Sequence, residues 1–215
     1  PVELLKPNDF QPQSPFFRYV IKGVPRSQAE GAQLREQIKN PFDQVYLPGS
    51  SLKGAFRTAL GWYIWQQSGI KLERTQLNPK REWAAQRYER QIFGPNPNKD
   101  LLRALHVSDS APLSADCLMV LNVRVVNRGG NLAAPIEVEA IRPNTIFEQT
   151  IKIDNALFSD WAKKHNLHLK NAELLQHLAE VVNHHTKEHI RQEIAWFSEV
   201  ARAQNVLNYY RQLEQ

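Results

Sequence analysis

The sequence predicts an α+β fold, an antiparallel sheet with helices on one face followed by a helical C-terminal segment. Three observations predict it. Five runs rich in β-branched, aromatic and aliphatic residues read as strands: 16–22, 105–109, 117–126, 136–141 and 145–153. Leu52, Ala55, Phe56, Ala59, Leu60, Tyr63 and Ile64 recur at spacings of three and four, the period of one helix face. Residues 171–215 hold no proline or glycine, which predicts one or two long helices there.

The elements follow in order. Residues 1–15 are proline-rich and read as irregular. After the strand at 16–22, residues 27–39 are polar and weakly helical, with Ser27 as a cap. Val45, Tyr46 and Leu47 form a short apolar run before Pro48-Gly49. A helix then starts with Ser50 or Ser51 as its N-cap and ends near Ser68-Gly69. Pro79 opens a second helix that runs to about Phe93, and Gly94-Pro95-Asn96-Pro97-Asn98 is a firm break. One helical turn is expected at 100–104. The last two strand runs read as a hairpin turning at Pro143-Asn144. Beyond Asn155, Leu174, Leu175, Leu178, Val181 and Val182 form one apolar stripe, and Ile190, Ile194, Phe197 and Ala201 a second. The expected division is a core at 1–154 and a helical extension at 155–215.

Composition narrows the classes. No segment is apolar enough for a membrane span, and the N-terminal residues carry no signal-peptide pattern, so a cytoplasmic protein with no membrane partner is expected. The single cysteine, Cys117, sits in an apolar run and reads as a small buried hydrophobe. Between Ser50 and Arg103, ten lysines and arginines face four acidic residues, a net +6. The remainder, 17 cations against 18 anions, carries −1, so the whole excess of +5 lies in that stretch. Concentrated positive charge suits a polyanionic partner; a solvated helical face is the bland alternative.

The start of the first helix combines Gly49, Ser50, Ser51, Lys53, Gly54 and Arg57. Unpaired backbone N–H groups and two cations one turn apart suit a phosphate. An ordinary strand-to-helix turn with its cations in water is the alternative, and the spacing does not match a mononucleotide P-loop. Asp109, three residues after His106, reads as a helix cap or a partner for a basic residue, or else as a general base. His185 and His189, one turn apart, lack the pattern of a zinc-protease pair, and no motif implies a cofactor. Trp62 and Trp65 read as core, while Tyr88 in the basic second helix stays open. The loop 127–131 reads as an insertion near RNA or a neighbouring subunit, or as a hairpin tip.

The run LPGSSLKGAFRTAL closely resembles the "IPGSSLKGALR" signature of the repeat-associated RAMP proteins of type III CRISPR effector complexes. Ile92-Phe93-Gly94, Asp100-Leu101-Leu102-Arg103 and Val107-Ser108-Asp109-Ser110 resemble the "FG…D…VSDS" run found downstream in that family. Ile136-Glu137-Val138-Glu139, Arg142-Pro143-Asn144-Thr145 with Phe147, and Glu193-Ile194-Ala195-Trp196-Phe197 resemble the Csm5 group within it. The resemblance implies a ferredoxin-like, RRM-like RNA-binding fold. It implies a non-catalytic subunit that holds the CRISPR guide RNA near its 3′ end, beside Csm3-like and Csm2-like subunits, and aids guide maturation by recruiting nucleases. Gly49, Ser50, Ser51, Lys53, Gly54 and Arg57 would then contact the guide backbone, with Arg57 pairing a core carboxylate such as Asp109 as the alternative. A RAMP-type endoribonuclease acting on precursor or target RNA is the rival reading. The opening "LTPLHIG" strand and the closing "RLGxGxG" loop of the family are not found. The expectation is therefore a fragment or split subunit, with its first sheet strand outside this numbering.

Overall fold

The structure is a computed structural model describing residues 6–11, 13–26, 32–126, 131–200 and 203–215. Its helices are α1 (Gly49–Ser68), α2 (Gln86–Phe93), α3 (Asp160–Lys164), α4 (Ala172–Gln176), α5 (Leu178–Ser198) and α6 (Gln204–Glu214). Its strands are β1 (Leu105–Val107), β2 (Leu118–Val123), β3 (Ile136–Ile141) and β4 (Ile151–Ile153). The mixed helix-and-sheet class is the one expected. Among the described residues, however, these strands form two separate antiparallel pairs, β1 with β4 and β2 with β3, not one four-stranded sheet.

The chain divides into two compact units. The first comprises 1–47, 110–148 and 200–203; the second comprises 48–109, 149–199 and 204–215. The residues after 155 thus do not form a separate extension. Leu157, Leu169, Leu175, Leu178 and Val181 bury themselves in the same core as Leu60 of α1 and Leu101, Leu102 and Leu105. The reason is amphipathicity: α4 and the start of α5 carry an apolar stripe of Leu174, Leu175, Leu178, Val181 and Val182 that needs a partner, and α1 presents one.

In the second unit α1 buries Ala59 and Leu60 and half-buries Phe56, Tyr63 and Ile64, whereas Ala55 faces water. The helix stops at Gly69, whose φ of 64° is the left-handed conformation typical of a helix-ending glycine. Pro79 does not open α2. The chain instead makes short 3-10 turns at Arg74–Gln76 and Arg81–Trp83 before α2 begins at Gln86. They lie over α2 because Tyr88 is buried there and its hydroxyl accepts from the Glu73 N–H at 2.8 Å. Tyr88 is therefore core. The segment after 171 is three helices rather than one or two, with breaks at His177 and after Ser198. The expected second stripe holds in part: Ile190, Ile194 and Phe197 are half-buried, and Phe197 stacks on Tyr210 at 5.7 Å. Ala201 lies outside the described residues.

In the first unit β2 and β3 pair in register from Leu118↔Ile141 to Val123↔Ile136. The run 16–22 is not a regular strand: it joins β2 through a parallel bridge at Lys22↔Met119, and its Tyr19 and Ile21 pack against the core that includes Leu118. Gly23 explains the break, because its φ of 114° turns the chain immediately against Val120. On the other side Arg35 bridges Val138, so 32–39 is extended rather than helical; Ser27 and 28–31 lie outside the described residues. Val45 is bridged to Lys39 and Leu113 rather than belonging to a strand. Val45, Ala115, Cys117 and Leu118 form the small core, and burial pushes the Cys117 thiol pKa up. The loop at 127–130 is outside the described residues. The turn at Pro143-Asn144 is present, with Asn144 in the left-handed region at φ 65°. It joins no hairpin: β3 pairs with β2 and β4 pairs with β1, because β1 and β4 supply apolar Leu105, Val107 and Ile153 to the larger core.

Buried among the first unit's strands is one charged cluster. The Lys39 ammonium contacts the Glu139 carboxylate at 2.5 Å, with side chains 7% and 3% exposed. Tyr19 donates its hydroxyl to Glu139 at 2.8 Å, and the Gln37 N–H donates at 3.0 Å. Burial pushes the Glu139 carboxyl up, but the hydrogen bonds from Lys39, Tyr19 and Gln37 outweigh it and hold the group below the ordinary carboxylate value.

Candidate nucleic-acid interface

The first turn of α1 is not capped by a serine. Pro48 is the N-cap, its carbonyl accepting from Ser51 N–H at 3.0 Å and Leu52 N–H at 3.4 Å. The helix therefore starts before either serine hydroxyl is in a capping position. The Gly49 N–H instead donates to the Asp109 carboxylate at 2.7 Å. Asp109 is thus a helix cap brought from a distant part of the chain, the favoured reading of its sequence context.

Gly49 is buried and lies hard against β1. A Cβ there would stand 2.2 Å from the Val107 carbonyl oxygen and 2.6 Å from that of Ser108. Its lack of a side chain lets the helix approach the strand, and that is the structural use of this glycine. Lys53, one turn on, donates to the Leu105 carbonyl at 2.7 Å, so it too is pinned along β1. That acceptor is neutral and uses one of three ammonium protons, which leaves the charge uncompensated.

Arg57 does not pair with Asp109. Its guanidinium bonds the Asp100 carboxylate at 2.9 Å, reaches Glu89 at 3.5 Å and lies 3.9 Å above the centre of the Phe93 ring. Asp100 also caps its own 3-10 turn by accepting from the Leu102 N–H at 2.8 Å. Two carboxylates and an aromatic face thus hold Arg57 in place, and its role here is to tie α1 to the α2 region.

What remains open is a depression of about 570 Å³ at the start of α1. Ser50, Lys53, His106, Ser108, Thr150 and Lys152 line it together with the Gly49 and Val107 backbone. Antiparallel pairing sets His106 directly across from Lys152. No carboxylate belongs to the lining, although the Asp109 carboxylate lies just behind it on the Gly49 N–H, and Lys53 and Lys152 are the charged groups that line the depression. Thr150 and Lys152 were missed by sequence reasoning. Only the β1–β4 register brings them to the helix start, and no local pattern signals that register. Ser51 and Gly54 are exposed and do not line the depression, and a Cβ at Gly54 would meet nothing within 4 Å.

The two motifs of the sequence thus prove to be each other's partners in space, Gly49 with Asp109 and Arg57 with Asp100. The model of the RAMP superfamily matches residues 21–201. The chain belongs to the RAMP superfamily.

This RAMP protein is 26% identical over 151 residues to the CRISPR system Cms protein Csm5 of Methanocaldococcus jannaschii, covering 69% of this chain and 36% of that protein. Its fold is similar to the crystal structure of T. onnurineus Csm5, with a TM-score of 0.68 at 24% identity over 91% of this chain and 64% of that one. It is also similar to a chain of the cryo-EM Csm–crRNA–target RNA ternary complex of a type III-A CRISPR-Cas system. There the TM-score is 0.56 at 22% identity, over 86% of this chain and 58% of that one. The chain thus spans about a third of the length of the curated relative and under two thirds of each matched structure. No helix among the described residues is long and apolar enough to cross a membrane. His184 and His185 pack against Trp62 at 5.4 and 5.3 Å between ring centres, and among the described residues no three potential metal ligands converge.

Proposed function

We propose that this RAMP protein is a non-catalytic, guide-RNA-binding subunit of a type III-A-like CRISPR effector complex in the cytoplasm. In this reading it caps the 3′ end of the guide beside Csm3-like and Csm2-like subunits and aids guide maturation through recruited nucleases. Membership of the superfamily and the likeness to Csm5 support the class of partner. The observation that carries the reading is the depression at the start of α1. Lys53, Lys152 and His106 gather there with the Ser50 and Thr150 hydroxyls and no lining carboxylate. Such a surface binds phosphates of any sequence, as a guide holder must. Ser50, Ser51, Lys53 and Gly54 remain the proposed backbone contacts, joined by Lys152. Gly49 supports them through packing and Arg57 through positioning.

Gly54 adds an independent argument. An exposed glycine inside a helix costs about 1 kcal/mol relative to alanine. No internal contact requires it, since nothing lies within 4 Å of a built Cβ. Close approach by an external backbone is a use that would retain it. Gly54→Ala is expected to stabilise the isolated protein by about 0.5–1 kcal/mol, read by urea unfolding, yet weaken its incorporation into a reconstituted complex. Unchanged incorporation would remove Gly54 from the interface.

Lys53→Gln/Lys152→Gln tests the depression itself. The double variant should lower affinity for guide-length single-stranded RNA and reduce the slope of log affinity against log salt by about 1.4, two phosphates at about 0.7 each. A slope equal to that of the unaltered protein defeats the assignment. Labelled precursor and target RNA should stay intact with and without Mg²⁺. Cleavage lost on His106→Ala would make the endoribonuclease reading the correct one.

A further inference from the structure

A second cation-lined surface lies on and around α2. The buried Tyr88, edge-on to Trp65 at 5.5 Å, anchors the preceding segment. The 3-10 turn at Arg81–Trp83, closed by the Trp83 N–H to the Lys80 carbonyl at 2.9 Å, then leaves the Trp83 side chain 48% exposed. Trp83 forms a wall of a cavity of about 630 Å³ that Arg87 and Arg90 also line, with the amide side chains of Gln76, Asn78 and Gln86. Arg90, Gln91 and Pro95 belong equally to a second cavity of about 410 Å³. Its floor is apolar, with the buried Phe93 and Leu101, and Lys99 and Lys170 line it beside His168. The Lys99 ammonium is held by the Asn166 backbone and side-chain oxygens, both neutral, so its charge is not cancelled there. No aspartate or glutamate lines either cavity.

These features have a common chemistry. An exposed indole offers a π-face to an unpaired base, and such stacking is worth about 1–3 kcal/mol per base. Two arginines three residues apart on one helix suit successive phosphates, and amide side chains suit base edges. A cavity with an apolar floor and lysines in its lining suits one nucleotide, and 410 Å³ lies within the range of small-ligand sites. A duplex keeps its bases stacked on one another and offers none to Trp83. An acidic protein segment would meet the cations but would leave the indole without a use; of the amides, Gln76 already donates to Glu73 and Asn78 already accepts from the Lys80 N–H. We propose that this face of the second unit is a second binding surface, for single-stranded nucleic acid. One base stacks on Trp83, the backbone runs over Arg87 and Arg90, and the next nucleotide enters the cavity lined by Lys99 and Lys170.

The test uses the full chain and mixed-sequence single-stranded RNA of about 12 nucleotides, within the range such surfaces occupy. Affinity is read by fluorescence anisotropy and Trp83 by tryptophan quenching, as the difference between the unaltered protein and W83F. W83A should bind about tenfold more weakly while W83F retains most of the affinity, because a phenyl ring still stacks. R87A/R90A should lower the salt slope by about 1.4. W83A binding as tightly as the unaltered protein overturns the proposal. So does equal competition by a duplex of the same sequence, or binding of poly-glutamate that W83A weakens. The Trp83 quench reads this surface alone, so its failure is separable from failure of the Lys53–Lys152 depression.

Discussion

Alanine in place of Gly49 is expected to destabilise the second unit by about 3 kcal/mol. The added Cβ would sit 2.2 Å from the Val107 carbonyl oxygen and 2.6 Å from that of Ser108. Both obstacles are backbone atoms of the β1 region, which cannot swing aside as a side chain does. The helix start must therefore move. Overpacking of this kind costs about 1–3 kcal/mol, and the displaced helix also loses the Asp109 cap, worth about 1 kcal/mol more. Urea unfolding measures the loss, and Gly54→Ala is the control, since the same methyl group five residues on meets open space. If Gly49→Ala melts like the unaltered protein, α1 does not start against β1 as described.

Lys39→Met is the second large change. It leaves the Glu139 carboxylate buried without its cation, and breaking such a pair costs about 3–5 kcal/mol near neutral pH. The sign of the pH dependence identifies the cause. In the unaltered protein Glu139 lies below its ordinary value. Its contribution is therefore present above the unfolded value, about 4.3, and is lost as pH falls through the folded one. Lys39 lies above its ordinary value, so its own contribution is full at neutral pH and is lost only in strong alkali. In Lys39→Met, burial loses its main opponent and pushes the carboxyl above its unfolded value. Stability then falls as pH rises through that range. The gap between the two proteins should thus narrow from pH 7 to pH 4, read as urea midpoints. A gap independent of pH would mean that the ion pair is not its source. Lys39→Met/Glu139→Leu should recover much of the loss, because an apolar pair leaves no charge to desolvate.

These two sites show what could and could not be read in the chain. The α1 helix was legible to within a residue or two because its signals are local. The three-and-four spacing of Phe56, Leu60, Tyr63 and Ile64 defines its buried face, and Gly69 marks its end. Ser50 or Ser51 as the cap was a local inference that a distant carboxylate overrode, since Asp109 reaches the Gly49 N–H from sixty residues away. The partner of Arg57 was misplaced in the same way. Asp100 and Asp109 are both carboxylates in strand-adjacent segments, and only the packing of α1 decides which one the guanidinium meets. The hairpin at Pro143-Asn144 failed because turn residues specify a bend but not which strands pair on either side of it. The run 16–22 has strand composition yet lies at an edge, where little apolar area rewards pairing.

The chain alone determined that the protein mixes helices with antiparallel strands, where α1 lies, that Cys117 is buried, and that its positive charge concentrates in 50–103. Each of these is set by neighbours a few residues apart or by composition. Tertiary structure decided that Gly49 serves a strand and Arg57 two carboxylates. It also decided that Lys152 and His106 join Lys53 at one depression, and that Trp83 stands exposed and lines the same cavity as Arg87. Those outcomes depend on strand register and on which apolar stripe finds which partner, and both are settled only when distant segments compete for the same core.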